Sequence, residues 1–222
     1  VSCSGGVIPN SINGIYEAKR ETAVLTKHSF GTASYVGNIQ PRGTLTSKGQ
    51  KSVGVLPVIK GFVQDMEYVA QGGRRGAWAA YLPIEHGDFH ELVKYLEEAP
   101  DGLNVGWVIT NHFTEECEQG DEDAVDRFQE HLTVKMKTGK GYVAFIDEIN
   151  ARRPQMYVDM GLYVVAPQLC NEIHLHSSEE ITYTCVLSSG NAARYRNWGK
   201  RSIFIWTVFL DCVAEDFIRK SE

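Results

Sequence analysis

The 222-residue sequence predicts an α/β fold built on a largely parallel sheet. Short apolar segments of strand length alternate along the chain with longer amphipathic segments of helical length, and this alternation is typical of parallel sheets covered by helices. Apolar residues make up 43% of the sequence, which is enough for a buried core. Because no internal repeat, low-complexity tract or linker divides the chain, we expect residues 1–222 to form a single domain.

Five segments carry the spacing of apolar residues that an amphipathic helix needs. In the first, Ile12, Ile15 and Tyr16 recur at helical spacing after Asn10 or Ser11, either of which is a plausible N-cap. The last segment is the longest and closes the chain. The predicted helices are 11–28, 53–68, 88–98, 121–137 and 198–219.

Six shorter apolar segments have the length and the flanking residues of strands. One of them, 35–39, interrupts a stretch rich in Gly, Ser and Thr that runs from Ser29 to Lys51, so we expect a strand there with loops on both sides. The predicted strands are 35–39, 77–82, 105–110, 142–146, 163–166 and 181–187.

Composition excludes several classes of partner. The formal net charge of -6 is spread over both signs without a basic stripe, so a nucleic acid is not expected to bind. The longest apolar runs fall short of the roughly 20 residues that a membrane span requires, and no basic segment followed by an apolar one opens the sequence. We expect a cytoplasmic protein that contacts no membrane.

The cysteines indicate buried thiols or redox chemistry. Their number is odd, and no C-x-x-C pair or zinc-finger spacing occurs among them. In a reducing compartment such cysteines are either packed as small apolar residues or used chemically. The five are Cys3, Cys117, Cys170, Cys185 and Cys212.

Cys170 has polar neighbours at alternate positions. In an extended segment, residues two apart point to the same side, so Gln168, Cys170 and Glu172 would converge on one site able to move and orient protons. A buried structural cysteine at the edge of a strand is the alternative. The sequence around Cys170 does not by itself decide between them.

Two further patterns are open to a functional and a structural interpretation. The segment Gln71-Gly72-Gly73-Arg74-Arg75-Gly76 is either a tight turn with solvated arginines or a nucleotide-binding loop, and it has neither the Walker nor the dinucleotide-fold spacing. The histidine pairs 86/90 and 174/176 lack a completing Glu or Cys at a familiar spacing, so we expect no metal site.

Taken together, six motifs in this order and approximate spacing resemble the large, catalytic subunit of ribonucleotide reductase, with the closest likeness to the phage branch of the class I enzymes. The cobalamin-dependent class, whose cysteine motifs are similar, stays open. The motifs are SC (2–3), SINGIY (11–16), QGGRRGA (71–77), YLPIEH (81–86), LCNEI (169–173) and TCVLSS (184–189).

The resemblance implies a fold and a reaction. The family's catalytic core is a ten-stranded α/β barrel made of two five-stranded halves, with a radical cysteine on a finger loop in its centre. This chain is expected to form about the first half of such a barrel together with the loop. The implied reaction is the reduction of ribonucleoside diphosphates to deoxyribonucleotides, a step in supplying DNA replication.

Catalytic roles follow from the resemblance position by position. Cys170 matches the cysteine that becomes a thiyl radical and removes the 3′ hydrogen of the ribose, and Glu172 matches the carboxylate that accepts the 3′ hydroxyl proton. Gln168 stands beside the radical cysteine. Cys3 and Cys185 match the pair that supplies two electrons and ends as a disulfide.

Nucleotide-binding positions are implied in the same way. They divide into a substrate pocket and an allosteric site, whose specificity loop reports the bound effector to the substrate base. The substrate-pocket positions are Ser2, Gly31, Asn171 and Leu187. The allosteric positions are Asn10, Ser11, Ile12, Gln40, Gln71 and Arg75.

The partners are implied as well. The chain is expected to bind no cofactor directly, because the family's radical comes from a metal-containing small subunit and its electrons come from thioredoxin or glutaredoxin. A half barrel would leave a sheet edge and an apolar face uncovered, so a complementing large-subunit chain is expected. The first helix and the following loop would form the face of a dimer.

Three positions depart from the family pattern. Gln168 stands where Asn is usual, Asn10 where Asp is usual and Gln40 where Arg is usual. The extra methylene of Gln168 would shift its amide by about a bond length, a scale to which catalytic geometry is sensitive. An inactive relic that binds nucleotides without turnover is therefore the alternative function, and an unrelated α/β nucleotide-binding enzyme is a further one.

Overall fold

Six strands form one sheet in the part of the chain that the computed structural model describes, residues 2–69 and 76–221. The strands are β1 (Cys3–Val7), β2 (Gly31–Tyr35), β3 (Trp78–Pro83), β4 (Val105–Ile109), β5 (Tyr142–Phe145) and β6 (Tyr183–Cys185). Their spatial order is β5-β4-β3-β2-β1-β6. Strands β1 to β5 run parallel, and β6 is antiparallel to β1, which confirms the predicted α/β fold.

The helices connect the parallel strands. The five predicted helices are confirmed, with ends that differ by one to three residues, and α4, α6 and α7 are additional. The helices are α1 (Ile12–Lys27), α2 (Val55–Tyr68), α3 (Phe89–Glu98), α4 (Asn111–Gln119), α5 (Glu122–Thr138), α6 (Ile146–Ala151), α7 (Gln155–Asp159) and α8 (Tyr195–Ser221). Helix α8 has a break at Gly199, whose φ is 55°.

Side-chain caps fix where several helices begin. The Ser11 hydroxyl accepts a hydrogen bond from the Gly14 amide at the start of α1, and Thr110 caps α4 through the Phe113 amide. Each cap satisfies an amide that has no partner within its helix. Helix α4 was not predicted because only Phe113 among its residues is buried, so its apolar stripe is too short to show a period.

The larger core lies between the sheet and helices α1 to α5. Phe62 of α2 stacks on Trp78 of β3 with ring centroids 4.7 Å apart, and Phe89 of α3 packs against Trp107 of β4 at 4.8 Å. Burying one such side chain contributes about 1.5 to 3 kcal/mol. This layer holds the parallel strands in place from one side.

A smaller apolar cluster lies on the opposite face of the sheet. Because side chains alternate along a strand, Trp78, Ala80 and Leu82 of β3 face the helices, whereas Ala79 and Tyr81 face the other way. Residues of the 157–169 segment pack onto this second face. The face with the smaller residues thus receives the connection that leads to Cys170.

Two predicted strands are wrong. The strand predicted at 35–39 lies instead at Gly31–Tyr35, and Val36 to Ile39 form a turn closed by the Ile39 amide on the Val36 carbonyl at 3.1 Å. Residues 163–166 are extended but pair with no strand. Instead, the Asn150 side chain accepts from the Val164 amide at 2.8 Å and donates to its carbonyl at 2.9 Å.

Strand β1 was not predicted because it is made of small and polar residues. Its partner β6 lays the Tyr183 ring against Gly5, where a Cβ would collide with that ring, and the Ser4 hydroxyl donates to the Tyr183 carbonyl at 2.8 Å. Close approach of the two strands therefore requires glycine here. A pattern search for alternating apolar residues misses such a strand.

Within the described ranges, both outer strands have a free side, because β5 and β6 each pair on one side only. An apolar face is also exposed on α8, where the side chains of Phe204 and Phe209 are 71% and 59% exposed. Among residues 2–69 and 76–221, no helix is both long and apolar enough to cross a bilayer.

Candidate active site

Cys3 and Cys185 lie directly opposite each other in the β1–β6 ladder. Both are buried and neither is in a disulfide. Directly opposed residues of antiparallel strands have Cα atoms about 4.5 to 5.5 Å apart, within the range of about 4.4 to 6.8 Å found for disulfides. The two thiols that the resemblance pairs are therefore adjacent in the structure.

The surroundings of Cys3 keep its thiol protonated. The pKa of the Cys3 thiol is raised to about 12, and burial is the largest cause. The negative charge and the hydrogen bond of Cys185 contribute next, and Cys170 and Glu172 contribute less. The 168–173 loop lies near Cys3, because a Cβ built on Gly31 would be 2.8 Å from Leu169 Cδ2 and 3.7 Å from the Cys3 sulfur. Four candidate residues from three separate segments therefore meet in one region.

The segment that carries Cys170 is a tight loop rather than an extended strand. The Asn171 amide donates to the Gln168 carbonyl at 3.0 Å, and the Gln168 amide donates to the Ile173 carbonyl, also at 3.0 Å. Asn171 has a φ of 69°, a left-handed conformation that Asn tolerates better than most residues. The expectation that three alternate side chains point to one side is wrong, because the chain reverses at Asn171.

The loop separates the side chains that it carries. Cys170 and Glu172 are exposed, whereas Gln168 is completely buried. The Gln168 Oε1 atom accepts a hydrogen bond from the Glu172 amide at 3.1 Å, and its Nε2 atom has no hydrogen-bond partner among the described residues. The buried Gln168 side chain thus stabilises the loop by a hydrogen bond, while the Cys170 side chain is exposed on it.

Tyr81 and Asn171 attach the loop to the sheet. The Tyr81 hydroxyl donates to the Gln168 carbonyl at 2.9 Å and lies 3.4 Å from Asn171 Oδ1. The Asn171 Nδ2 atom donates to the Val143 carbonyl of β5 at 3.0 Å. Burial is the largest of the effects that raise the pKa of Tyr81. The hydroxyl therefore stays protonated and can donate a hydrogen bond. No role was predicted for Tyr81, although a tyrosine in an otherwise apolar strand could have indicated that its hydroxyl has a hydrogen-bond partner.

Of the predicted substrate-pocket residues, Ser2 and Gly31 lie beside the cysteine pair. The Ser2 amide donates to the Cys185 carbonyl at 2.9 Å, and the Gly31 amide donates to the Ser2 carbonyl at 3.0 Å. A Cβ on Gly31 would lie 2.8 Å from Cδ2 of Leu169 and 3.7 Å from the Cys3 sulfur. Leu187, two residues beyond Cys185, is exposed. The structure thus brings the loop, the pair and Gly31 close together.

Four of the predicted allosteric residues, Asn10, Ser11, Ile12 and Gln40, lie at or near the N-terminal end of α1. The Gln40 amide lies 3.4 Å from Asn10 Oδ1, the Ser11 hydroxyl is used as the cap of α1, and Ile12 is 71% exposed. Gln71 and Arg75 fall outside the described residues. The effector assignment of these positions stays a prediction.

The histidine pairs have other partners. His86 is buried, with its Nε2 atom 2.9 Å from the Ile39 carbonyl, and its Nδ1 atom accepts from the Asp88 amide, while His90 pairs with Glu130 at 2.6 Å. The part of the chain that the structure describes contains no group of three or more His, Cys, Asp and Glu residues able to hold a metal ion.

Sequence comparisons place this arrangement among known proteins. The family profile described as ribonucleotide reductase, barrel domain, matches residues 1–125 and 110–216. The ribonucleoside-diphosphate reductase large subunit of invertebrate iridescent virus 3 is 30% identical over 98% of this chain and 46% of its own length. That of Arabidopsis thaliana is 28% identical over 81% of this chain and 27% of its own length.

A solved structure shows the same fold. The class Id ribonucleotide reductase alpha subunit of Actinobacillus ureae matches 99% of this chain and 41% of its own length, with a TM-score of 0.86 and 33% identity. The chain spans less than half the length of each of these proteins. The structural match confirms the predicted partial α/β barrel.

Proposed function

Because this chain belongs to the ribonucleotide reductase barrel-domain family, we propose that it carries the thiols that reduce ribonucleoside diphosphates to deoxyribonucleotides. The observation that supports the proposal is the proximity of Cys3, Cys185 and the Cys170 loop. A single buried cysteine has a structural explanation, whereas two opposed buried thiols near an exposed third one favour a chemical one.

The opposed pair supplies the electrons. The two thiols of Cys3 and Cys185 give up two hydrogen atoms and close a disulfide, the 2′ hydroxyl leaves the ribose as water, and a hydrogen takes its place. Ribonucleotide and dithiol thus become deoxyribonucleotide, water and disulfide, which balances atoms and electrons. The raised pKa of the Cys3 thiol suits a group that has to hold a proton until the hydroxyl departs.

Cys170 and Glu172 start and end the reaction at the 3′ carbon. A thiyl on Cys170 takes the 3′ hydrogen atom, which breaks a C–H bond and forms an S–H bond, and the same hydrogen returns to the product radical at the end. Glu172 accepts the proton of the 3′ hydroxyl as a general base. Both side chains are exposed on the loop, so a nucleotide bound beside the loop can reach them.

Completion of the site requires further polypeptide. The sheet ends at β5, whose outer side lacks a strand, and beside it a cavity of about 570 Å³ opens between α6 and residues 171–175. Unpaired edges and apolar faces are covered in natural proteins. We infer that the remaining barrel closes on β5 and α8, that the radical comes from a metal-containing small subunit, and that an external dithiol such as thioredoxin or glutaredoxin reduces the disulfide.

One substitution tests the proposal in the assembled enzyme, containing every segment and subunit needed for turnover. Cys170→Ser is expected to reduce deoxyribonucleotide formation to background, because serine cannot host the radical at an accessible energy, while nucleotide binding is retained. Cys117→Ser, a control on α4 outside the proposed site, is expected to keep full activity. Turnover that survives Cys170→Ser contradicts the radical role.

The same assay separates the alternative of an inactive relic. If the assembled wild-type enzyme binds nucleotides but forms no deoxyribonucleotide, the relic is the better interpretation, and restoring the usual residue through Gln168→Asn becomes the decisive comparison. Gln168 is the position that favours this alternative, since its Nε2 atom has no partner among the described residues.

A further inference from the structure

Tyr81 is held in the sheet with its hydroxyl at the loop that carries Cys170. The side chain is fully buried on β3, and its ring lies over Gly106 of β4, where any Cβ would collide with it. The ring is therefore held by the sheet, and its hydroxyl ends 2.9 Å from the Gln168 carbonyl. A hydrogen-bond donor held rigidly in this way fixes the position of the Gln168 carbonyl that accepts from it.

Asn171 provides a second attachment with a defined orientation. Its Nδ2 atom must donate, so the contact with the Val143 carbonyl at 3.0 Å turns Oδ1 toward the Tyr81 hydroxyl. The side chain thus links β3 and β5 beneath the loop, while the φ of 69° at the same residue makes the chain reverse just after Cys170.

From this geometry we propose that Tyr81 and Asn171 are positioning residues, which act through the Gln168 carbonyl and the loop backbone to set the place of the Cys170 sulfur relative to the nucleotide. The inference rests on the proposed function, because it assigns these residues a part in the reaction of Cys170. Hydrogen-atom transfer depends on a near-attack geometry, and a misplacement of about 1 Å can lower a rate by about a hundredfold.

Tyr35 is the matched control. It lies beside Tyr81 in the β2–β3 register, packs against the same apolar cluster, and in the described part of the chain makes no hydrogen bond to residues 168–172. Tyr35→Phe and Tyr81→Phe each remove one hydroxyl from neighbouring tyrosines on one face of the sheet. Only the second removes a contact with the loop.

The test uses the assembled enzyme and two readouts. Tyr81→Phe is expected to lower kcat by about 10- to 100-fold while the KM for the nucleotide changes less than about twofold. Alkylation of Cys170 by iodoacetamide, followed by mass spectrometry, is expected to become several-fold faster because the loop is no longer held, while alkylation of Cys212 stays unchanged. Tyr35→Phe is expected to match the wild type in both readouts.

Asn171→Gly supplies an independent variant that keeps the left-handed backbone conformation but removes the amide. It is expected to lower kcat and speed Cys170 alkylation in the same direction as Tyr81→Phe. Unchanged kcat and alkylation in Tyr81→Phe, a rise of KM alone, or equal losses in Tyr35→Phe would each overturn the inference. The alkylation readout does not depend on turnover, so its result is separate from the failure of the proposed function that an active Cys170→Ser enzyme would reveal.

Discussion

Cys3 faces Cys185 across the β1–β6 ladder, with the Gly31 and Leu169 contact immediately beside the pair. The antiparallel strand β6 thus brings a thiol from the end of the described fold against one from its beginning. The two opposed thiols and the loop that presents a third thiol therefore lie near one another in the fold.

Mild oxidation is expected to join Cys3 and Cys185 in a disulfide within the folded enzyme. Their directly opposed positions meet the Cα spacing that a disulfide requires, so little backbone movement is needed. Treatment with diamide and mass spectrometry of peptides under non-reducing conditions would detect the link. Cys185→Ser is the control that removes it, and a dominant link between Cys117 and Cys212 would contradict the expected pairing.

Alkylation of Cys3 is expected to rise with pH through the whole range up to about pH 12. A thiol whose pKa is about 12 carries about a thousandfold less thiolate at pH 8 than one whose pKa is the ordinary 9.0, and only the thiolate reacts. The measurement is the slope of log rate against pH, which does not depend on how accessible the sulfur is. A rate for Cys3 that levels off near pH 9 would show that the pair does not hold its proton.

Gly31→Ala is expected to lower kcat by about tenfold or more by displacing the loop. The new Cβ would lie 2.8 Å from Leu169 Cδ2, closer than carbon atoms pack, so the Leu169 side chain, next to Cys170, has to shift. Gly61→Ala is the control, because this residue lies within α2, where alanine is favoured over glycine by about 1 kcal/mol. Wild-type kcat in Gly31→Ala would show that the loop tolerates a displaced Leu169.

Acidification is expected to destabilise the fold through His131. The pKa of this histidine is lowered from 6.5 to about 4, mainly by burial and also by the nearby Lys135. The histidine therefore binds a proton more readily in the unfolded chain than in the folded one. The contribution of His131 is fully present above pH 6.5 and is lost as the pH falls toward 4.

Equilibrium urea unfolding at several pH values would measure this effect. His131→Phe, which keeps a ring beside Trp107, is expected to lose less stability than the wild type between pH 6.5 and 4. His112→Gln, at an exposed position on α4, is expected to follow the wild type. Identical acid profiles for the wild type and His131→Phe would mean that carboxylates alone govern the acid limb.

Helices with one apolar face could be predicted from the sequence, and strands of small residues could not. Helix α3 buries Phe89, Leu92, Val93 and Leu96 at helical spacing, and that period is visible in the letters. Strand β1 has no such period, since its identity depends on Tyr183 lying against Gly5. A strand defined by what approaches it becomes recognisable only when its neighbour is known.

The residues of the candidate site also differ in whether they could be predicted from the sequence. The thiols and Glu172 could be proposed as site residues from motifs, because the proposed chemistry requires those residue types. Tyr81 could not, because its contribution depends on a hydroxyl reaching a backbone carbonyl far away in sequence. The convergence expected of Gln168 with Cys170 was wrong because the backbone at Asn171 adopts a left-handed conformation, which single letters predict poorly for residues other than glycine.

The opposition of the two thiols also limits how the segment before β6 can vary in length. Successive side chains of a strand point to opposite faces, so inserting or deleting one residue in the turn between Ser178 and Ile181 would present Thr184 or Val186 to Cys3. A change of this size leaves every cysteine in the sequence and still removes the dithiol. The number of residues that precede β6 is therefore as important for the proposed supply of electrons as the presence of the two cysteines.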